Sequence, residues 1–280
     1  MRSVIVYHAA GNSRSTICAR AMYRGIGRFE ANVEMRPSTA YKAPRHDVAV
    51  FYGLAGGLAR TMREYVEAGR KVLYIDLGYW GRRKRTRYDG FHKIIVNDRH
   101  PTAYFQRVRH PADRFQEHGI EIRPWRKKGN QIVVVGMSAK AALHSGFQPH
   151  EWERTTIDQL QRLTNRPIIY RPKPNWLGAK HLPGSTMMKD QPLADVLHGA
   201  HCVVAHHSNV AVEAILAGIP AICPEGVASV MAGHKLKQIE DPPMPSGRAQ
   251  WAADIAYCQW SIAEMTAGLP WIHLVREGLI

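Results

Sequence analysis

Acidic residues are scarce in this chain, and cysteine is scarcer. Its 280 residues carry 23 aspartates and glutamates against 38 lysines and arginines, with only four cysteines. Those cysteines (Cys18, Cys202, Cys223, Cys258) are scattered and form no Cys-x-x-Cys. That argues against a cysteine-ligated zinc site or a disulfide framework and suits a reducing cytoplasm, or a host cytoplasm if the chain is viral. No apolar run approaches the ~20 residues of a membrane helix, so no integral membrane segment is expected. The opening Met1-Arg-Ser-Val-Ile-Val-Tyr-His turns into a strand at once, and no signal peptide is expected. Gly-x-Gly-x-x-Gly is missing: Gly11 stands alone, and Gly25-Ile-Gly27 ends a helix, which removes the dinucleotide fingerprint. There is no Asp-x-Asp pair to hold a divalent ion, no internal repeat and no low-complexity tract.

What is present is positive charge, and it is clustered. The net charge of +15 points to nucleic acid, an acidic membrane surface or a polyanionic substrate. The densest run is Gly81-Arg-Arg-Lys-Arg-Thr-Arg-Tyr88, flanked by Tyr79 and Trp80. Arg82, Arg83, Lys84, Arg85 and Arg87 suit a phosphate backbone, and the aromatics suit a base stacked or flipped beside it.

Short apolar runs alternate with helical patterns along the whole chain, the mark of parallel α/β structure. Strands are expected at Val4–Ala9, Asp47–Leu54, Lys71–Asp76 and His92–Val96, with helices through Ile17–Ile26 and Leu58–Ala68. A polar, proline-containing stretch at Glu121–Gly129 marks a boundary, after which the alternation resumes with a strand at 131–135. The expected architecture is therefore a first Rossmann-like domain over 1–125, a second over 126–250 and a C-terminal helical segment over 251–280. Gly247–Ala267 reads as one long helix, with Trp251, Ile255, Ala256, Trp260 and Met265 at helical spacing.

The most informative stretch is 201–223, His-Cys-Val-Val-Ala-His-His-Ser-Asn-Val-Ala-Val-Glu-Ala-Ile-Leu-Ala-Gly-Ile-Pro-Ala-Ile-Cys. It reads as a buried strand, a polar turn, a short helix stopped at Gly218, and a second strand. Ser208 or Asn209 can cap the helix, and the amides beyond the cap form a site for a phosphate or diphosphate. Glu213, about one turn in, can reach a ribose hydroxyl. Upstream, Pro167-Ile-Ile-Tyr-Arg-Pro-Lys-Pro174 is a strand that ends in cations. Strands of such a sheet end along one edge, where ligands bind, so Arg171, Lys173 and the Ser208 turn are expected to converge on one anion. Gly136 and Ser138 offer a second loop at the same edge. His206 and His207, adjacent at a strand end, are expected to point to opposite faces and not to chelate one ion; one of them is expected to contact the donor.

The Arg-Pro-Lys-Pro strand end followed by Ala194-Asp-Val-Leu and Val203-Val-Ala-His-His-Ser-Asn-Val-Ala-Val-Glu-Ala-Ile-Leu-Ala-Gly-Ile-Pro220 resembles the C-terminal half of GT-B-type glycosyltransferases. The flavour is that of capsule-polysaccharide and glycerophosphate-polymer transferases, with Lys173 here where histidine is commoner. The resemblance covers residues 165–225 and implies two Rossmann-like domains flanking a deep cleft, the first (1–125) binding the acceptor and the second (126–250) a nucleotide-sugar donor. It also implies that the C-terminal helix (251–280) returns to the first domain, and that a helix N-terminus and cations hold the diphosphate without a metal. A UDP-sugar is the first donor to expect, with no further cofactor.

An inverting reaction needs a base for the acceptor hydroxyl. Asp76, at the end of an apolar strand, is the first candidate, His8 the second, and Asp98 with His100 the third. With the basic loop as acceptor site, the leading reading is a transferase that glycosylates a hydroxymethylated base in double-stranded DNA, a division of labour that resembles phage DNA glucosyltransferases. The alternatives are a lipid-linked or teichoic-type polymer acceptor at the membrane, transfer of a non-sugar group to DNA, and a non-catalytic nucleic-acid-binding protein.

Overall fold

The computed structural model describes residues 1–82, 89–105 and 107–280. The chain forms two units, one made of Met1–Arg114 with Ala253–Ile280 and the other of Phe115–Ala252. The first contains β1 (Ser3–His8), α1 (Ser13–Ile26), β2 (Asn32–Pro37), β3 (Val48–Tyr52), α2 (Leu58–Glu67), β4 (Lys71–Leu77), β5 (His92–Val96) and the short helices α3 (Thr102–Phe105) and α4 (Asp113–Glu117). The second contains β6 (Gln131–Val135), α5 (Ala139–His144), α6 (Glu151–Leu160), β7 (Ile168–Arg171), β8 (Thr186–Met187), α7 (Leu193–His198), β9 (Ala200–Ala205), α8 (Asn209–Leu216) and β10 (Ala221–Ile222). After α9 (Arg248–Ala256) the chain completes the first unit with β11 (Gln259–Trp260), α10 (Ile262–Ala267) and α11 (Leu269–Arg276). The two divisions fall inside α4 and α9.

The first sheet has the order β11-β5-β4-β3-β1-β2. Strands β1 to β4 are parallel, whereas β5 runs against β4 and β11 against β5. The reversal shows at the ends of the connection: Gly78 N–H donates to Phe91 O and Phe91 N–H to Gly81 O, so the two strands meet side by side there. Period-two alternation splits the strand side chains between two cores. Val4, Val6, Val50, Leu73 and Ile75 pack on Cys18, Met22 and Ile26 of α1 and on Met265 and Trp271 of the C-terminal helices. Ile5, Phe51, Val72 and Tyr74 pack on Leu58 and Tyr65 of α2.

The helix expected over 247–267 is three elements. Beyond Ala256 the backbone extends, so that Gln259 and Trp260 pair with Lys93 and His92 on the free edge of β5. Ser261 then starts α10 afresh with a capping box: its Oγ accepts from Glu264 N–H at 3.2 Å while Glu264 Oε2 accepts from Ser261 N–H at 2.7 Å. Helical spacing survives within α9, but Trp260 is a strand residue. Gly25 lets α1 and α10 touch along their backbones, since a Cβ there would overlap the Met265 carbonyl.

The second sheet, β10-β9-β6-β7-β8, is wholly parallel. Its central strands are buried on both faces, which explains the unbroken apolar runs of β6 and β9. One face packs Ile132, Val134, Tyr170 and Val204 on Ile157 and Leu160 of α6. All four cysteines are buried, and burial raises their thiol pKa values, those of Cys18 and Cys223 to about 12.

His92 is 1% exposed, and burial, aided by the Arg14 cation, lowers its pKa to about 4. An unfolded imidazole takes its proton near 6.5, so the folded state binds fewer protons than the unfolded state between those values. The contribution of His92 is therefore complete above about pH 6.5 and is lost as pH falls toward about 4, on the order of 3 kcal/mol. Chemical denaturation across that window should show a shallower loss for His92→Leu than for the native chain.

Candidate functional site

The carboxyl edge of the second sheet gathers the predicted donor residues. Strands β6 and β9 are neighbours, yet β7 follows β6 on one side and β9 lies on the other. The strand order thus reverses between β6 and β9, the point outside which ligands bind in open α/β sheets. Two capped helix starts follow these strands. Ser138 caps α5, its Oγ accepting from Ala141 N–H at 3.3 Å. Ser208, with extended backbone, caps α8, its Oγ accepting from Val210 N–H at 3.2 Å. Of the two residues proposed as cap, Ser208 fills the role and Asn209 is the first helical residue. Glu213 lies one turn in, half-buried. The first-turn amides and the dipole of α8 make this edge favourable for an anion.

The β6 loop is held from beneath. Gly136 N–H donates to Arg171 O at 2.9 Å, and Met137 N–H donates to Glu153 Oε1 at 2.6 Å. Glu153 is fully buried on α6, and its Oε2 has no hydrogen-bond partner. Gly136 cannot carry a side chain without crowding this layer, since a Cβ would lie 2.8 Å from the Tyr170 ring and 3.3 Å from Glu153 Oε1. Sequence reasoning missed Glu153, although its spacing before Ile157 and Leu160 puts it on the buried face of α6.

Arg171 is built into the sheet. Its Nη1 donates to Met188 O at 2.9 Å and Lys189 O at 2.6 Å, closing the end of β7 over the segment after β8. Burial lowers its pKa. With β6 lying between β7 and β9, Arg171 and Ser208 sit two strand spacings apart, about 10 Å in the sheet plane. Arg171 Nη1 is thus engaged by backbone carbonyls, and Lys173 is the exposed cation of the pair.

The histidines also differ from expectation. Both follow the last residue of β9, where strand alternation lapses, and their Nδ1 atoms lie 2.9 Å apart. Glu225 Oε2 is 3.6 Å from His206 Nδ1. His206 is buried, edge-on to Phe147 and Trp152, and its carbonyl accepts from Glu225 N–H at 3.1 Å. The pair converges and does not diverge.

In the first unit, Asp76 and His8 end β4 and β1 at the carboxyl edge of the sheet. Asp76 Oδ2 accepts from the Tyr74 hydroxyl and Oδ1 from Leu77 N–H, each at 2.8 Å. Its cross-strand partner is Lys93, a buried lysine that the sequence reading passed over. Lys93 Nζ donates to Arg99 O at 2.7 Å and sits over the rings of Tyr74 and Tyr79. Burial lowers its pKa to about 8, with the Asp76 carboxylate opposing the shift. Asp98 is elsewhere. Because β5 runs antiparallel, its carboxyl end lies at the start of β4, where Asn97 N–H donates to Val72 O. Asp98 Oδ1 accepts from Arg99 N–H at 2.5 Å, as a turn-forming aspartate does.

Of the proposed acceptor residues, Arg83, Lys84, Arg85 and Arg87 lie outside the described residues. Tyr79 and Trp80, expected to flank the acceptor, are 0% and 4% exposed. Their backbone N–H groups donate to Gln259 Oε1, at 2.5 and 3.3 Å. Buried rings offer no stacking surface, because the chain must pack this doubled-back connection against β11. Arg82 is half-buried.

No protein-family profile matches the chain, and no curated protein matches it. Solved structures do. One is Thermosulfurimonas dismutans KpsC, beta Kdo 2,4 transferase, at 12% identity over 91% of this chain and 90% of that one, with a TM-score of 0.51. Another is Thermosulfurimonas dismutans KpsC, beta Kdo 2,7 transferase, at 14% identity over 96% and 99%, also at 0.51. The likeness is one of fold, and the GT-B-like α/β layout expected from the sequence is borne out.

Arg171→Met leaves the Met188 and Lys189 carbonyls without their donor. Its cost should be about 2 kcal/mol of stability in urea denaturation, the range for losing hydrogen bonds from a charged donor.

Proposed function

We propose that the chain is an enzyme that transfers a sugar from a nucleotide-activated donor to an anionic glycan. The observation that carries the reading is the capped start of α8 at the strand-order reversal of a wholly parallel sheet, with the Ser138 loop beside it. A helix start at that position attracts a phosphate or diphosphate, and stabilising this leaving group is what glycosyl transfer asks of the donor site. Ser208, Asn209, Gly136 and Ser138 would line the phosphates, Glu213 would meet the ribose, and the His206–His207 pair and Lys173 would border the donor. A UDP-sugar is the first donor to test. The fold likeness to two Kdo transferases supports sugar transfer over a binding role.

The base that takes the acceptor proton is assigned to Asp76 or His8. Asp76 is the more precisely held, with one donor on each carboxylate oxygen and the Lys93 side chain across the strand. The net charge of +15 supports a polyanionic acceptor. Burial of Tyr79 and Trp80 removes the aromatic half of the case for a flipped DNA base, which moves a glycan to the front. DNA is the second reading, favoured by the run Arg82–Arg87 alone.

The test is a thermal-shift screen of nucleotide sugars, an activated Kdo included. A true donor at a hundredfold over its Kd should stabilise the chain by about 2.7 kcal/mol, and Ser208→Ala should weaken that response. A panel without a single stabilising nucleotide sugar would sink the proposal. With a donor in hand, Asp76→Asn should lower kcat by at least about a hundredfold if it is the base. Neutralising Arg82, Arg83, Arg85 and Arg87 should reduce the salt slope of duplex binding only if DNA is the acceptor.

A further inference from the structure

Far along the sequence from the donor loops, the first unit builds a second cluster of chemistry-bearing side chains. His273 and Glu277 are four residues apart at the end of α11, so the helical repeat puts them on one face. His110, from the segment between α3 and α4, faces them, with its Nε2 3.9 Å from Glu277 Oε1. One ligand atom from each of His110, His273 and Glu277 lies within 4.8 Å of the others. His110 is buried, and Tyr257 stacks on its ring at 4.3 Å with planes 15° apart.

The orientation of His110 is set from behind. Asp254, 2% exposed on α9, accepts from His110 N–H at 2.8 Å and lies 3.3 Å from His110 Nδ1. A carboxylate there keeps the proton on Nδ1 and leaves the Nε2 lone pair directed at Glu277 and His273. This is the carboxylate–histidine arrangement that orients imidazole ligands in metal proteins. The Tyr104 hydroxyl sits in the same space, 3.1 Å from His110 Nε2 and 3.2 Å from Glu277 Oε2.

We propose that His110, His273 and Glu277 form a zinc site, with Asp254 as the positioning residue of His110. Two imidazoles and one carboxylate suit Zn²⁺ and disfavour Mg²⁺, which takes oxygen ligands. Tetrahedral zinc at about 2.0–2.1 Å from its ligands spaces them about 3.3 Å apart, so closing the 3.9 Å gap is a side-chain adjustment. The fourth position falls to water or to Tyr104. A bound ion would tie residues 104–110 to the C-terminal helix, joining segments distant in sequence within one unit. The site belongs to the first unit and the donor loops to the second, and the proposal does not rest on sugar transfer.

The full chain, stripped with chelator and titrated with Zn²⁺, should bind about one equivalent, with a rise in Tm. Co²⁺ in its place should give the intense visible absorption of a tetrahedral ion. His273→Asn and Glu277→Gln should each weaken Zn²⁺ binding by tenfold or more, and Asp254→Asn by about 10–100-fold with the stoichiometry unchanged. Glu277→Gln, at an exposed helix end, keeps the test valid if the buried variants fail to fold. Absence of zinc binding by the native chain overturns the proposal. So does binding that Glu277→Gln leaves intact, or binding lost on His206→Gln with His273→Asn unaffected.

Discussion

Parallel strands share a direction, and in the second unit that constraint decides where polar chemistry can exist. Both faces of its central strands are sealed by helices, so β6 is apolar from Ile132 onward and β9 from Cys202 onward. Polar groups collect where the strands stop. The Gly136–Ser138 and His206–Asn209 loops meet the edge at the two strands between which the order reverses, and each opens a helix. Buried groups below, such as Glu153 against the Met137 amide, keep the loops in place. An edge whose helix starts favour an anion is thus a by-product of sheet direction.

The first unit departs from that scheme on one flank. Reversal at β5 lets residues from the end of the chain add a strand, and Gly25 lets α10 settle directly on α1. The same reversal brings Lys93 opposite Asp76. Whether a residue lies at the reactive edge therefore depends on strand direction as much as on its place at a strand end.

Much of this was legible beforehand. The strands at 131–135 and 92–96, the α8 turn and the Ser208 cap follow from local apolar runs and cap chemistry, which act over a few residues. Other features depend on partners far away in the chain. The break of the 247–267 helix is caused by hydrogen bonds to β5, which no local pattern announces. The bonds of Arg171 to the Met188 and Lys189 carbonyls join segments 17 and 18 residues apart, which the strand-end motif alone does not announce. The histidine pair converges because both residues lie in the turn beyond Ala205, where the alternation of strand side chains no longer applies. Burial of Tyr79 and Trp80 likewise comes from Gln259, 180 residues away from Tyr79.

The four cysteines have a practical consequence. Cys18 and Cys258 belong to one unit, Cys202 and Cys223 to the other, and every thiol is shielded and held in its unreactive protonated form. Alkylation at neutral pH then has to wait for local opening, and mapping which pair is modified first distinguishes loosening of one half from loosening of the other. The chain carries its own reporters of partial unfolding, with no label to be introduced.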